Sequence, residues 1–573
     1  MSEFFNYEIA KKAADLIDDK IIEVLKSGKS FRIEAGAGSG KTYSLKKVID
    51  WLQVNKGAEY KSMKKQVACI TYTNAAVDVI KSRLDSDSPI VPLTIHAFAW
   101  ESMSRFQSSL LKIVKDKELF PKSYKGEDIR NVKYTLGVRY IENGCLFLFH
   151  DDVIKIFAEL LEMPKFRMVL ADKFPIILID EYQDTSKLIV DAFIKYYIEK
   201  DKGPQFGFFG DAWQTIYSSN GACGMIECDK LEVIGKSSNF RSQKCIVEML
   251  NRMRPQLPQI SALDETDGNI SVITTNEFNT QRIIKNYYKG ELQAGLLNNV
   301  IGNVKNKLFE NGWNVEKSKI LMITHKMLSW QQGYEKLLGI LDKGLKEADD
   351  VHLQFFMNWL EPIYNALENN STKELYEALG VGRQAINTKA EKTAWKNLKI
   401  ELESARKKSI YDVVKCAYES QLIPIPLEVE KIFEGYPENE AKAYANSSIG
   451  VFYEVNYSEV ICALEYLKPN ALFSTHHGVK GEEYENVLLI IGRGWNDYKF
   501  DEILIQDERL LDGKALEVYR RNRNLFYVCC SRSIKNLVLL VTVPTSQHFM
   551  EYLGNIFGNE NIISYSDFIG VNN

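Results

Sequence analysis

No run of about 18 apolar residues occurs anywhere in the 573-residue sequence, and the N-terminal MSEFFNYEIAKK carries no apolar core. Neither a membrane span nor a secretory leader is therefore expected. Histidine is scarce, at seven, and the nine cysteines include no Cys-x-x-Cys pair, so neither a zinc site nor a disulfide framework is indicated. An excess of one charge is missing as well: 72 Lys+Arg stand against 76 Asp+Glu, a net charge of -4. A protein that holds nucleic acid through a general basic coat is thereby disfavoured, and any binding groove has to be locally basic. Repeats, low-complexity tracts and long Pro/Gly/Ser linkers are also lacking. What is present is ordinary for a globular chain, 45% hydrophobic and 26% charged residues, which excludes disorder and fibres. The length corresponds to roughly four domain-sized units. A cytoplasmic, soluble, multi-domain protein is expected.

Short apolar runs ending in small or polar residues read as buried parallel strands at Phe31–Ala35, 66–71, 175–180, 206–210, 319–324, 471–475, 486–491 and 537–543. Helical patterns separate most of them, which predicts an α/β architecture with parallel sheets. Four runs precede residue 215 and four follow 315, so two α/β domains are expected, each carrying a mostly helical insertion. The predicted boundaries are 1–99 with 175–235 for the first domain and 100–174 for its insertion. The second domain is expected at 236–328 with 458–573, and its insertion at 329–457.

Ala35-Gly-Ala-Gly-Ser-Gly-Lys41-Thr42 follows the strand FRIEA and precedes the helical YSLKKVIDWLQ. Glycines allow positive φ, so consecutive N–H groups of Gly36, Ala37, Gly38, Ser39 and Gly40 can point at one phosphate chain at a helix N-terminus. Lys41 would reach the β- and γ-phosphates, and the Thr42 hydroxyl would ligate Mg²⁺. The apolar strand ending in Asp180-Glu181 supplies the acidic partner site. Asp180 can hold the metal, and Glu181 can position or deprotonate a water. ATP and Mg²⁺ are the cofactors this pattern demands.

With Asp180-Glu-Tyr-Gln-Asp184-Thr the sequence resembles the UvrD-like superfamily 1 DNA helicases, over about residues 30 to 540 and with the motifs in the family's order. Ala35 to Thr42 resembles motif I, Thr71-Tyr-Thr-Asn74 motif Ia and Thr94-Ile-His-Ala-Phe98 motif Ib. Motif II lies at Asp180 to Thr185, motif III at Gly210-Asp-Ala-Trp-Gln214-Thr-Ile-Tyr217 and motif IV at Asn239-Phe-Arg241-Ser. Thr475-His-His477-Gly-Val-Lys480-Gly-Glu-Glu483-Tyr resembles motif V, and Leu525-Phe-Tyr-Val-Cys-Cys-Ser-Arg532 motif VI. The resemblance implies an ATP site between two RecA-like P-loop domains and 3′→5′ movement on DNA. It gives Gln214 the role of γ-phosphate sensor, Arg241 and Arg532 that of arginine fingers, and Glu483 a place on the ribose side. Thr71, Tyr72, Asn74, His96, Phe98, Tyr217 and His477 would line a single-strand track. Hydroxyls and amides there can meet phosphates, and aromatic faces can stack on bases.

Three departures stand out. No Gln precedes the P-loop, the first being Gln53, so an adenine reader is missing. Ser218-Ser219-Asn220 replaces the aromatic and Arg that the family carries before Gly221-Ala222. The insertions are also short for the family. In the second one, Leu379-Gly-Val-Gly-Arg383 and the basic face of Lys389, Lys392, Lys396, Lys399, Arg406, Lys407 and Lys408 suggest a duplex-DNA contact. Such features are more often a glycine helix stop and a solvated face.

Two functional readings follow. One is a stand-alone DNA translocase and helicase. The other is a DNA- or nucleotide-sensing regulatory ATPase that licenses a partner nuclease. Compact members of the family it resembles include the helicase-like subunit of the Gabija anti-phage system, which works with an OLD-family nuclease, and this chain's size and trimmed insertions are compatible with that role. About 30 residues follow Val543, too few for a nuclease domain after motif VI.

Overall fold

The computed structural model describes residues 5–570 apart from 72, 122–123, 125, 127, 136–138, 217–220, 264–267, 286–287, 323–324, 381–387, 469–470, 476–480 and 494–497. Two six-stranded sheets, each wholly parallel, organise it. The first contains β1 (Phe31–Ala35), β2 (Val67–Thr71), β3 (Ile90–Thr94), β4 (Ile176–Asp180), β5 (Gln205–Gly210) and β6 (Glu232–Lys236), in the order β3-β2-β4-β5-β1-β6. The second contains β7 (Asn269–Thr274), β8 (Ser318–Met322), β9 (Phe473–Thr475), β10 (Tyr484–Ile491), β11 (Ser533–Val541) and β12 (Ile562–Ser564), in the order β9-β8-β10-β11-β7-β12. The α/β class and the two parallel sheets of RecA-like type agree with the sequence expectation.

Both faces of each sheet are buried, which is why the central strands read as continuous apolar runs. Along β10, Val487, Leu489 and Ile491 enter one core and Leu488 and Ile490 the other. Gly207 in β5 meets a packing demand: a Cβ there would lie 2.7 Å from the Phe31 ring and 2.9 Å from Leu178. Four strands escaped the sequence reading, β3, β6, β7 and β12. Three of them are sheet edges, where shorter or less apolar runs suffice.

The chain leaves β1 and returns in β2, three strand positions away, across β5 and β4. Such a switch of direction opens a crevice at the carboxyl ends of the strands. The P-loop follows β1, Asp180 ends β4, and motif III follows β5, so three functional segments meet there. The second sheet faces this crevice with the amino ends of its strands: Glu483 immediately precedes β10, and Arg532 immediately precedes β11.

The two insertions differ in kind. The segment between β3 and β4 is not purely helical; it includes a three-stranded sheet of Asn131–Tyr134, Tyr140–Glu142 and Cys145–Leu148. The segment between β8 and β9 is helical apart from the short hairpin Ala443–Tyr444/Ser447–Ser448. No helix among the described residues is long and apolar enough to cross a membrane. All nine cysteines are free.

Candidate nucleotide-binding cleft

A cleft of about 740 Å³ lies between the two sheets, lined by the P-loop from Gly36 to Thr42 and by Asp180, Glu181, Gln214, Phe240, Arg241, Glu483 and Arg532, among others. The loop is shaped by two left-handed glycines, Gly38 at φ 71° and Gly40 at φ 78°. Gly38 has a second reason to lack a side chain, since a Cβ would sit 2.7 Å from Arg241 Cβ and from Asn239 Oδ1. Second-domain groups grip the loop's carbonyls. Phe240 N–H donates to Gly38 O at 2.9 Å, and the Asn239 and Gln259 amides donate to Ala37 O at 2.9 and 3.1 Å. Among the described residues, the N–H groups of Gly38, Gly40, Lys41 and Thr42 meet no protein acceptor. They stand at the start of the helix Lys41–Ser62, where the helix dipole favours an anion.

The charged groups on each side of the cleft are held on one another. Lys41 Nζ lies 3.5 Å from Glu181 Oε1, and Arg241 Nε donates to Glu483 Oε2 at 2.7 Å. Arg532 differs from both. Its side chain is 1% exposed and makes no ion pair among the described residues. Its donors reach only Val528 O, Glu482 O and Ser531 Oγ, at 3.0 to 3.1 Å. Burial, with the Arg241 charge next, brings this guanidinium down to about 10. A buried cation without a carboxylate is costly, and an anion entering the cleft offsets that cost.

Glu181 adopts left-handed backbone, φ 49° and ψ 47°, a conformation that costs a non-glycine residue about 1 kcal/mol or more. The Gln183 amide donates to its carboxylate. Burial and the neighbouring Glu181 charge push Asp180 up to about 7, against the pull of Lys41. Thr42 and Asp180 offer hard oxygen ligands in the same cleft, a donor set that suits Mg²⁺ shared with phosphates. Gln214 is 6% exposed and donates through Nε2 to Asp211 Oδ2 at 2.8 Å.

The residues assigned to a single-strand track fare differently. Phe98 is fully buried, with ring centroids 5.7 Å from Phe157 and 5.3 Å from Phe174. It is a core aromatic and presents no face to a base, which corrects that assignment. Thr71 is 2% exposed, and its hydroxyl donates to Thr73 O at 3.2 Å. One face of His96 is covered by His150, their centroids 3.3 Å apart, and burial followed by the His150 charge holds its pKa down at about 4. Asn74 opens the helix Asn74–Lys81 and is exposed. Tyr72, Tyr217, Ser218, Ser219, Asn220, His477 and Lys480 lie outside the described residues, as do Gly382 and Arg383. Arg406 is not part of a solvated basic face: it pairs with Glu361 at 2.7 Å and covers the Tyr364 ring at 3.7 Å.

Sequence reasoning missed Phe240, the apolar ring at the cleft, although it lies inside the quoted Asn239-Phe-Arg241-Ser. It also missed Asp211, Arg254 and Glu34, whose buried charges only the fold brings together.

A P-loop strand, an acidic strand end and facing arginines define a nucleotide-binding protein built from two RecA-like domains. Residues 19–220 match the AAA domain family. The chain is 22% identical over 665 aligned positions to the Gabija protein GajB of Bacillus cereus (strain HuB5-5), a match that covers 88% of this chain and 92% of that protein. The likeness to that protein thus extends over most of the chain.

Proposed function

We propose that the protein is an ATP-driven DNA translocase and helicase with 3′→5′ polarity, hydrolysing ATP in the cleft between its two domains. The observation that carries the reading is the pairing of the anion-ready P-loop with Arg532, a buried cation that makes no ion pair among the described residues. The triphosphate enters the N–H cradle, and Lys41 exchanges Glu181 for the β- and γ-phosphates. Thr42 and Asp180 would hold a Mg²⁺ ion, which supplies charge neutralisation at the phosphate oxygens. Glu181, released from Lys41, orients the attacking water and accepts its proton. Gln214 meets the γ-phosphate side. Arg241, leaving Glu483, joins Arg532 against the charge that develops in the transition state. Glu483 is then available to the ribose, and Phe240 offers a flat face to the base.

Lys41→Ala is expected to weaken nucleotide binding and turnover together. Glu181→Gln is expected to keep binding and lose about 10²-fold or more in turnover. Calorimetric titration and steady-state kinetics separate the two, and near-normal turnover in Glu181→Gln would sink the assignment. Single-stranded DNA should stimulate hydrolysis, with binding that weakens as salt rises.

The end-to-end likeness to GajB favours a second reading: a cytoplasmic DNA- or nucleotide-sensing ATPase subunit that licenses a partner nuclease, such as an OLD-family enzyme, in anti-phage defence. An ATPase rate indifferent to every form of DNA, together with a nuclease that co-purifies and cuts only in the complex, would decide for it.

A further inference from the structure

The helix Lys244–Met253 packs Ile246, Met249 and Leu250 into the core of the second sheet. Arg241 lies just before it and points into the cleft, while Arg254 caps its other end and crosses into the first domain. There Arg254 Nη1 donates to Asp211 Oδ1 at 2.7 Å, and Nη2 donates to Glu34 Oε1 at 2.8 Å. All three residues are more than nine-tenths buried. Glu34 is the residue of β1 just before the P-loop's Ala35, and its carboxylate also accepts from Ala212 N–H at 2.9 Å and the Tyr182 hydroxyl at 2.7 Å. Asp211 opens motif III and accepts from Trp213 N–H at 3.0 Å and from Gln214 Nε2 at 2.8 Å. Two further second-domain side chains hold the same loop. Asn524 donates to Ala212 O and Thr215 O, each at 3.2 Å, and the Arg523 guanidinium lies 4.0 Å from the Trp213 ring centroid.

We propose that Arg254 is a positioning residue for Gln214, fixing the amide through Asp211 and thereby tying γ-phosphate sensing to the seating of the second domain. An ionised carboxylate only accepts, so Asp211 dictates that the Gln214 nitrogen faces it and that the carbonyl Oε1 is turned the other way. The rigid two-pronged guanidinium bridges Asp211 and Glu34 at once, which a lysine ammonium cannot do with the same geometry. One rigid helix of about 15 Å therefore carries Arg241 at one end and the Gln214 support at the other. Movement of the second domain shifts both together.

This inference rests on the proposed reading of the cleft as an ATP site. The test is a double-mutant cycle of Arg254→Lys and Gln214→Ala on the full-length protein, with melting curves to establish folding. Arg254→Lys should lower kcat about tenfold or more while nucleotide affinity stays within about twofold. Adding it to Gln214→Ala should cost nothing further. Falls that multiply, or an unchanged kcat in a folded Arg254→Lys, overturn the proposal. A second readout needs no hydrolysis. Trp213 lies beside both arginines, so its emission, taken as the difference from Trp213→Phe, should respond to a non-hydrolysable ATP analogue in the parent and not in Arg254→Lys. An equal response in both overturns the coupling while leaving the ATP site intact. Failure of the parent to bind the analogue overturns the ATP reading itself, and the inference with it.

Discussion

The two insertions occupy equivalent places, each looping out of a parallel sheet, yet they relate to their sheets in opposite ways. In the first, Leu146, Phe157, Phe166 and Leu170 share one apolar core with Ala68, Ile70, Ile177 and Ile179 of the sheet itself. In the second, Tyr334, Phe356, Leu402, Val414 and Tyr457 form a core that contains no strand residue of the large sheet. Only partly buried Tyr466 packs against both that core and the sheet's outer face. The first insertion is thus built into the core of its sheet, and the second is a unit attached to one. Any DNA contact carried by the second can shift without repacking the ATP site.

The largest expected effect tests the fused side. Phe157 touches the rings of Phe98, Phe166 and Phe193, and Phe157→Ala should cost about 3–5 kcal/mol. Nucleotide binding should fall with the melting temperature, because the sheet that carries the P-loop loosens too. Leu402→Ala, fully buried in the second insertion, should cost about 2–5 kcal/mol but leave nucleotide affinity within about twofold. Its melt should split into two transitions in calorimetry. A loss of nucleotide binding there would erase the distinction between the insertions.

Acid should act on both regions, more visibly at the seam of the first. His96 on the sheet side stacks on His150 of the insertion, and the Tyr134 hydroxyl bonds His150 Nδ1 at 2.6 Å. Burial lowers both histidines, His96 to about 4. His352, fully buried in the second insertion, is brought down to about 3 by burial. A folded-state pKa below the unfolded value of about 6.5 means that the unfolded chain binds protons first. The stabilisation is therefore complete above about pH 6.5 and drains away as pH falls toward 4. Hydrogen exchange between pH 7 and 4.5 should report faster opening around 96 and 150, and His352→Gln should flatten the dependence inside the second insertion only. The smallest effect concerns the exposed Lys392 and Lys396. Alanine there should move stability by less than about 0.5 kcal/mol, and should reduce the salt slope of duplex binding by about one per lysine if this face holds phosphates.

Much of this was legible in the chain because central parallel strands and glycine-rich loops leave strong local marks. FRIEA followed by Gly-Ala-Gly-Ser-Gly-Lys41 fixes a strand, a loop and a helix start from local chemistry alone. Edge strands left weaker marks: Ile90–Thr94 carries Pro92, which argues against a strand, and Ile562–Ser564 is only three residues long. The strand Asn269–Thr274 is a different case: it begins with a polar residue and has no motif at its end to announce it. Phe98 read as a base-stacking ring because its neighbours form a motif, and burial, which decides its role, is a property of the fold. The ionic bridge among Glu34, Asp211 and Arg254 spans 220 positions of sequence, a separation no local pattern encodes.

Arg532 has a consequence for the protein's economy in the cell. On the proposed reading of the cleft, a guanidinium kept from water with no ion pair among the described residues gains its counter-charge from the bound triphosphate, so the durability of the fold should track nucleotide concentration. A ligand at a hundred times its Kd adds about 2.7 kcal/mol of stability, a large share of what a domain typically has. Abundant triphosphate should then raise the melting temperature of the whole chain, and its depletion should lower it, which melting curves with and without nucleotide would read.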